Sequence, residues 1–288
     1  MKVLVFGKTG QVATELARRV PAGVEATFLP RAEADQTDPA ACAQIVLDQR
    51  PDLVINAAAY TAVDKAEDDE ATAQLVNGDT PAALARACAD IGAPFLHVST
   101  DYVFDGSGDA PWTVDAATGP LGAYGRTKLA GEDGIRAANG DHAILRTSWV
   151  FSAHGGNFVK TMLRLSQTRD KLTVVADQIG GPTEAGDIAQ ALWDMALAFG
   201  AGKGTTGTYH FAGAPDASWA DFAREIFARA GRAVAVEDIP SSAYPTPAKR
   251  PGNSRMDCSD ITRDYGIARP DWRDSLTRVL AELEGEDA

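Results

Sequence analysis

The chain has 288 residues, 40 of them Asp or Glu against 27 Lys or Arg, for a formal net charge of −13. That balance excludes nucleic acid and anionic membrane surfaces as expected partners, because both are held mainly by neutralising phosphate; a small anionic ligand on a helix N-terminus or a local Arg remains open. With 45% hydrophobic and 23% charged residues, the composition suits a large α/β domain with a small companion.

No apolar run approaches the ~20 residues of a membrane span, and a strand starting at Lys2 leaves no room for a signal peptide. Three scattered cysteines, Cys42, Cys88 and Cys258, fit a reducing compartment. His97, His142, His154 and His210 show no metal-ligand spacing, so a cytoplasmic chain without a resident metal is expected.

Residues 2–6 form a short apolar run ending at Gly7, as a strand buried on both faces of a parallel sheet would. Gly7 to Ala13 then reads as a glycine-rich turn opening a helix, which is the setting of a dinucleotide fingerprint. Gly7 permits the turn and Gly10 lets backbone approach a pyrophosphate; Ala13 stands where a third glycine is usual. Residues 24–29 predict a second strand, 40–48 a helix and 52–56 a third strand. No acid follows the second strand. Arg31 is there instead, a cation suited to a 2′-phosphate and hence to NADPH, with NADH second, while Asp35 and Gln36 are placed to cover the adenine.

Small residues 57–59 allow a flat ring to approach the next strand end. Helical pattern runs over 70–89, with Pro81 required either to start a helix or to kink one. A fourth strand over 94–98 ends in Ser99-Thr100-Asp101, polar residues where open α/β sheets bind ligands. A loop over 105–123 delivers the chain to Tyr124 and Lys128, which stack one turn apart if that run is helical; a neighbouring cation lowers a phenol pKa.

Beyond a fifth strand over 143–147 the pattern gives helices over 157–166, 185–199, 219–230 and 274–283, and short strands over 172–175, 208–211 and 233–236, with Gly200 ending the second of those helices. The expected architecture is a doubly wound, Rossmann-type parallel sheet over residues 1–150, to which parts of 185–211 return, and a smaller α+β substrate lobe over the rest of 151–288. The basic, proline-punctuated stretch 243–255 carries Arg250 and Arg255, forked donors able to hold a diphosphate. The acidic residues 282–287 are the one place where a divalent metal is conceivable, and none is expected.

Taken together, Gly7 to Val12, Asn56 to Glu67, Ser99 to Gly106, Tyr124 to Glu132, Arg146 to Val150 and Ala243 to Arg255 resemble the extended short-chain dehydrogenase/reductase family, over nearly the whole chain. That resemblance implies reduction of the C4 ketone of a nucleotide-linked deoxysugar by NADPH, in a monomer or homodimer. It implies Tyr124 as proton donor to the carbonyl oxygen, Lys128 as its tuning cation and holder of the nicotinamide ribose, and Thr100 as a hydrogen-bonding partner of the same oxygen or of the tyrosine. Cofactor contacts carry over to Gly10, Gln11, Val12, Asp35, Gln36, Ala59, Tyr60 and Thr61, and sugar-nucleotide contacts to Asp101, Trp149, Arg250 and Asn253. The same resemblance admits a nucleotide-sugar epimerase or 4,6-dehydratase, although Thr100-Asp101-Tyr102 has only one acid, and a noncatalytic regulatory subunit.

Overall fold

The computed structural model describes residues 1–286, so Asp287, the last of the acidic run 282–287, lies outside the described residues. Alternating short strands and helices build its first half: β1 (Lys2–Phe6), α1 (Gln11–Arg18), β2 (Glu25–Leu29), α2 (Pro39–Gln49), β3 (Leu53–Asn56), α3 (Val63–Ala66), α4 (Glu70–Gln74), α5 (Thr80–Ile91), β4 (Phe95–Thr100), α6 (Ala123–Ala137) and β5 (His142–Thr147). The second half holds β6 (Val150–Phe151), α7 (Phe158–Ser166), β7 (Lys171–Val175), β8 (Ile179–Gly180), β9 (Thr183–Glu184), α8 (Ala185–Gly200), β10 (Gly207–His210), β11 (Ala217–Ser218), α9 (Trp219–Arg229), β12 (Ala235–Ile239), β13 (Asn253–Ser254), α10 (Ser259–Tyr265) and α11 (Trp272–Glu286).

Six strands pair in parallel in the order β10-β5-β4-β3-β1-β2. Alternate side chains of β1 sort to the two faces: Val3 and Val5 pack with Leu16 and Leu192 under α1 and α8, whereas Leu4 and Phe6 pack with Val46 and Leu84 under α2 and α5. Strand order reverses between β1 and β3, which opens a crevice beyond their carboxyl ends. A second core, built on Phe151, Val159, Leu172, Phe222, Trp272 and Leu276, joins α7, α9 and α11 to the parallel pair β7-β12.

The helix expected over 70–89 is interrupted by a π-helical turn, Leu75–Asp79, directly ahead of Pro81. Pro81 cannot donate to the carbonyl four residues back, and the ladder widens in the turn before it. The helix expected to stop at Gly200 includes that residue, and the positive φ falls at Gly202. β6, β8, β9, β11 and β13 have two residues each, too few for a period-2 signal, and α10 has seven. All three cysteines are free and buried. Among the described residues no helix is long and apolar enough to cross a membrane.

Candidate active site

A cavity of about 880 Å³ opens at the carboxyl ends of β1, β3 and β4. At one end Gly7 has φ +113, and a Cβ there would meet the Ala58 nitrogen at 3.3 Å, so the β1 turn and the β3 end can close up only around glycine. Gly10 caps α1 with no side-chain hydrogen bond and has nothing within 4 Å of an added Cβ, which leaves the helix N-terminus bare toward the cavity. Gln11 is anchored from the second half of the chain, its Oε1 accepting from Ser152 Oγ and Asn157 Nδ2, both at 2.8 Å. Arg31 reaches over the rim with its side chain 79% exposed, tethered only by a 3.5 Å contact to Asp35. The Asp35 carboxylate lies below its ordinary range because Thr37 donates to it.

The opposite end is set by β4 and α6. A Cβ on Gly125 would sit 2.2 Å from the Tyr102 carbonyl oxygen, so α6 approaches the end of β4 through that glycine. This closeness brings Tyr124 edge-on to Tyr102, with ring centroids 5.4 Å apart, and its phenol to the Thr100 hydroxyl. Burial drives the Tyr124 phenol above its ordinary pKa, the Thr100 hydrogen bond pulls it back, and the Asp101 charge adds to the rise. The expected lowering by Lys128 is corrected here. Lys128 is 1% exposed, and its Nζ is engaged by the Val98 carbonyl at 2.6 Å and His97 Nε2 at 3.0 Å instead. Burial brings Lys128 down to about 8, with Glu132 opposing. Asp101 accepts from Thr100 at 3.1 Å, and burial lifts its carboxyl to about 6.

α6 is pinned by a buried ion pair that the sequence reading did not single out. Glu132 accepts from Ser99 at 2.6 Å and from Arg146 at 2.9 and 2.6 Å. Burial would raise its pKa, but the Arg146 hydrogen bonds and charge hold it below the ordinary carboxylate value. Asn77, in the π turn, accepts from the Tyr60 N–H at 2.8 Å and donates to its carbonyl at 3.1 Å, fixing the backbone beside Ala59. Trp149 has φ +48 and stacks on Trp219 at 3.7 Å, so one indole face is covered by protein.

Every residue expected at the site lines this cavity except those of the 243–255 stretch. Arg250 donates to Asp64 at 2.7 Å, and Asn253, 2% exposed, donates to the Ser107 and Ala110 carbonyls. Arg255 in turn donates to Asn253 Oδ1 at 3.1 Å. Gln36 is turned inward, donating to Asn56 at 2.8 Å, but its Oε1 is buried without a partner, as are Asp101 Oδ2 and Thr147 Oγ1. Three orphaned polar atoms on the wall, a bare helix N-terminus and an unspent guanidinium at the rim together fit a polar, phosphate-bearing dinucleotide. Glu15, His154 and Glu282 come together elsewhere, but the Arg18 guanidinium bonds both His154 and Glu282, completing an ion-pair cluster.

The family model for the RmlD substrate binding domain matches residues 1–284. A dTDP-4-dehydrorhamnose reductase of Sinorhizobium fredii is 45% identical, with 100% of each chain covered, and that of Escherichia coli K12 is 41% identical over 98% of each. Among solved structures, a dTDP-4-dehydrorhamnose reductase of Clostridium acetobutylicum superposes with TM-score 0.92 at 36% identity, covering 99% of this chain and 100% of its own. The Bacillus anthracis reductase in complex with NADP gives 0.91 at 31%, covering 98% and 99%.

Proposed function

The chain belongs to the RmlD substrate binding domain family of dTDP-4-dehydrorhamnose reductases, and from that membership we propose how its residues reduce the C4 ketone of dTDP-4-dehydro-L-rhamnose to dTDP-L-rhamnose, the last step of dTDP-rhamnose synthesis. NADPH supplies the hydride. As C4 becomes tetrahedral, negative charge builds on its oxygen, and Tyr124 donates the proton that quenches it. A phenol held protonated by burial is the form a donor needs, and Thr100, hydrogen-bonded to it, orients the proton. Lys128 holds the nicotinamide ribose hydroxyls. Gly10, Gln11 and Val12 receive the pyrophosphate at the α1 N-terminus, while Arg31 takes the 2′-phosphate and Gln36 Oε1 accepts a donor from the cofactor.

Asp101 and Trp149 fix the sugar, Trp149 by covering an apolar sugar face from the cavity wall. Arg250 and Asn253 act through the loop they brace, and Arg250 reaches the diphosphate only by leaving Asp64. The six-stranded sheet carries the cofactor, and the second core together with the 243–255 stretch, which is braced by Asp64, Ser107 and Ala110 of the first half, carries the sugar nucleotide. Buried free thiols agree with a cytoplasmic setting. The observation that carries the reading is Tyr124 and Thr100 meeting at the end of β4 in a cavity that also contains the bare α1 N-terminus. With enzymatically made dTDP-4-dehydro-L-rhamnose, one NADPH should disappear per dTDP-L-rhamnose formed, faster than with NADH. Purified protein carrying tightly held NAD and releasing no reduced sugar would instead favour an epimerase or dehydratase.

A further inference from the structure

Beneath the cavity floor runs a chain of buried polar groups whose donors and acceptors can be assigned from one fixed point. Asn56 ends β3 and stands beside His97 of β4, the two being register partners on neighbouring strands, each 0% exposed. The backbone N–H of Ala58 donates to Asn56 Oδ1 at 3.2 Å, and a backbone N–H has no alternative role. The side-chain amide of Asn56 is thereby oriented: Oδ1 is the acceptor, for Gln36 Nε2 as well at 2.8 Å, and Nδ2 is the donor. That donor faces His97 Nδ1 at 3.3 Å, so Nδ1 must carry the lone pair. Burial keeps the imidazole neutral, and Lys128 adds to the effect. A neutral ring with a bare Nδ1 has its proton on Nε2, and Nε2 lies 3.0 Å from Lys128 Nζ.

Two donors cannot share that contact. An ammonium at Lys128 would set N–H against N–H, whereas an amine offers a lone pair to His97 while still donating to the Val98 carbonyl at 2.6 Å. The unbroken order of donation is therefore Gln36 to Asn56 to His97 to Lys128 to Val98. The other ionisable groups around Lys128 are Tyr124, one turn earlier on α6, and Glu132, one turn later, whose charge is already taken up by Arg146 and which favours the protonated lysine.

We propose that His97 is a positioning residue for the reduction: locked by Asn56 with its proton on Nε2, it presents a donor to Lys128 and governs how readily that lysine takes up a proton. The proposal rests on the reading above in that it concerns the lysine assigned to the cofactor ribose. In the free enzyme Lys128 is proton-poor for a lysine, and full charging requires His97 to shift its proton to Nδ1 or to turn away, which Asn56 resists.

The test is made on free enzyme with 15N-labelled histidine and lysine. Long-range proton–nitrogen NMR should report a protonated Nε2 and a bare Nδ1 for His97, its signals assigned by their loss in His97→Gln. In that variant the amide carbonyl is free to turn toward Lys128 and accept from an ammonium, and the Lys128 titration should move up by about one pH unit. A proton found on Nδ1 in the wild type would overturn the proposal without any variant, as would an unmoved Lys128 titration in folded His97→Gln. If tautomer and titration behave as expected but the alkaline limb of kcat/KM fails to follow the Lys128 titration, the assigned role of Lys128 is wrong and that of His97 as its regulator stands.

Discussion

At the scale of single residues, position was legible wherever a strand end or a helical spacing decides it. Thr100, Tyr124 and Lys128 were readable as positions, at the end of β4 and one turn apart on α6, although Lys128 meets Val98 and His97 rather than the Tyr124 phenol. Asn56 and His97 were not, although each is a polar residue inside an otherwise apolar strand; their role depends on lying side by side in register, which no local pattern encodes. Arg250 and Asn253 had a plausible chemistry but a tertiary fate, one neutralised by Asp64 and the other spent on loop carbonyls. Arg31→Ala should raise the KM for NADPH about tenfold, the order of one charge-assisted hydrogen bond, and leave that for NADH nearly unchanged, as initial rates with each cofactor will show. Asp101→Asn should stabilise the protein at neutral pH. Its carboxyl, lifted from 3.8 to about 6, is harder to ionise in the fold than in the unfolded chain. Stability therefore rises as pH falls from about 6 to about 4, and the variant's advantage, up to about 3 kcal/mol, should be present above that window and vanish below it in denaturant unfolding curves.

At the scale of elements, long periodic segments matched their expected spans closely because burial of one face decides them. The exceptions were elements made by contact rather than by pattern: two-residue strands of the second half, and the π turn in which Asn77 holds Tyr60. α6 is the element on which the site depends. Its glycine at 125 lets it touch the Tyr102 carbonyl, and Glu132 ties it to Ser99 of β4 and Arg146 of β5. Gly125→Ala must push the helix away from β4. The expected outcome is a loss of about 1–3 kcal/mol in stability and a fall in kcat larger than the change in cofactor affinity, since Tyr124 moves while α1 does not. Equal losses in both would place the effect outside α6.

At the scale of the whole molecule, the sheet order puts the crevice between β1 and β3, and the second core supplies the wall that carries Trp149 and anchors Gln11. A doubly wound sheet was legible from alternation alone. How the remaining third interleaves with it was less so, because α8 packs on α1 and β10 on β5 across long sequence separations. A cofactor seated in that crevice should stabilise the sheet and the segment that anchors Gln11. At 100 times its Kd, NADPH should raise ΔG of unfolding by about 2.7 kcal/mol and Tm by roughly 4–5 °C for a chain of this length, with a smaller rise for NADH at the same concentration. Removing the cofactor by gel filtration should reverse it.

The most direct test of the account is hydride transfer in Tyr124→Phe, followed in a single turnover of NADPH with dTDP-4-dehydro-L-rhamnose while cofactor affinity is measured separately by fluorescence. Loss of the proton donor should slow the turnover by about 10²–10⁴-fold with NADPH affinity within about twofold of wild type, and little dependence on pH should remain from the phenol. Turnover as fast as wild type would contradict the account, because the charge on the C4 oxygen would then be quenched by some group other than Tyr124.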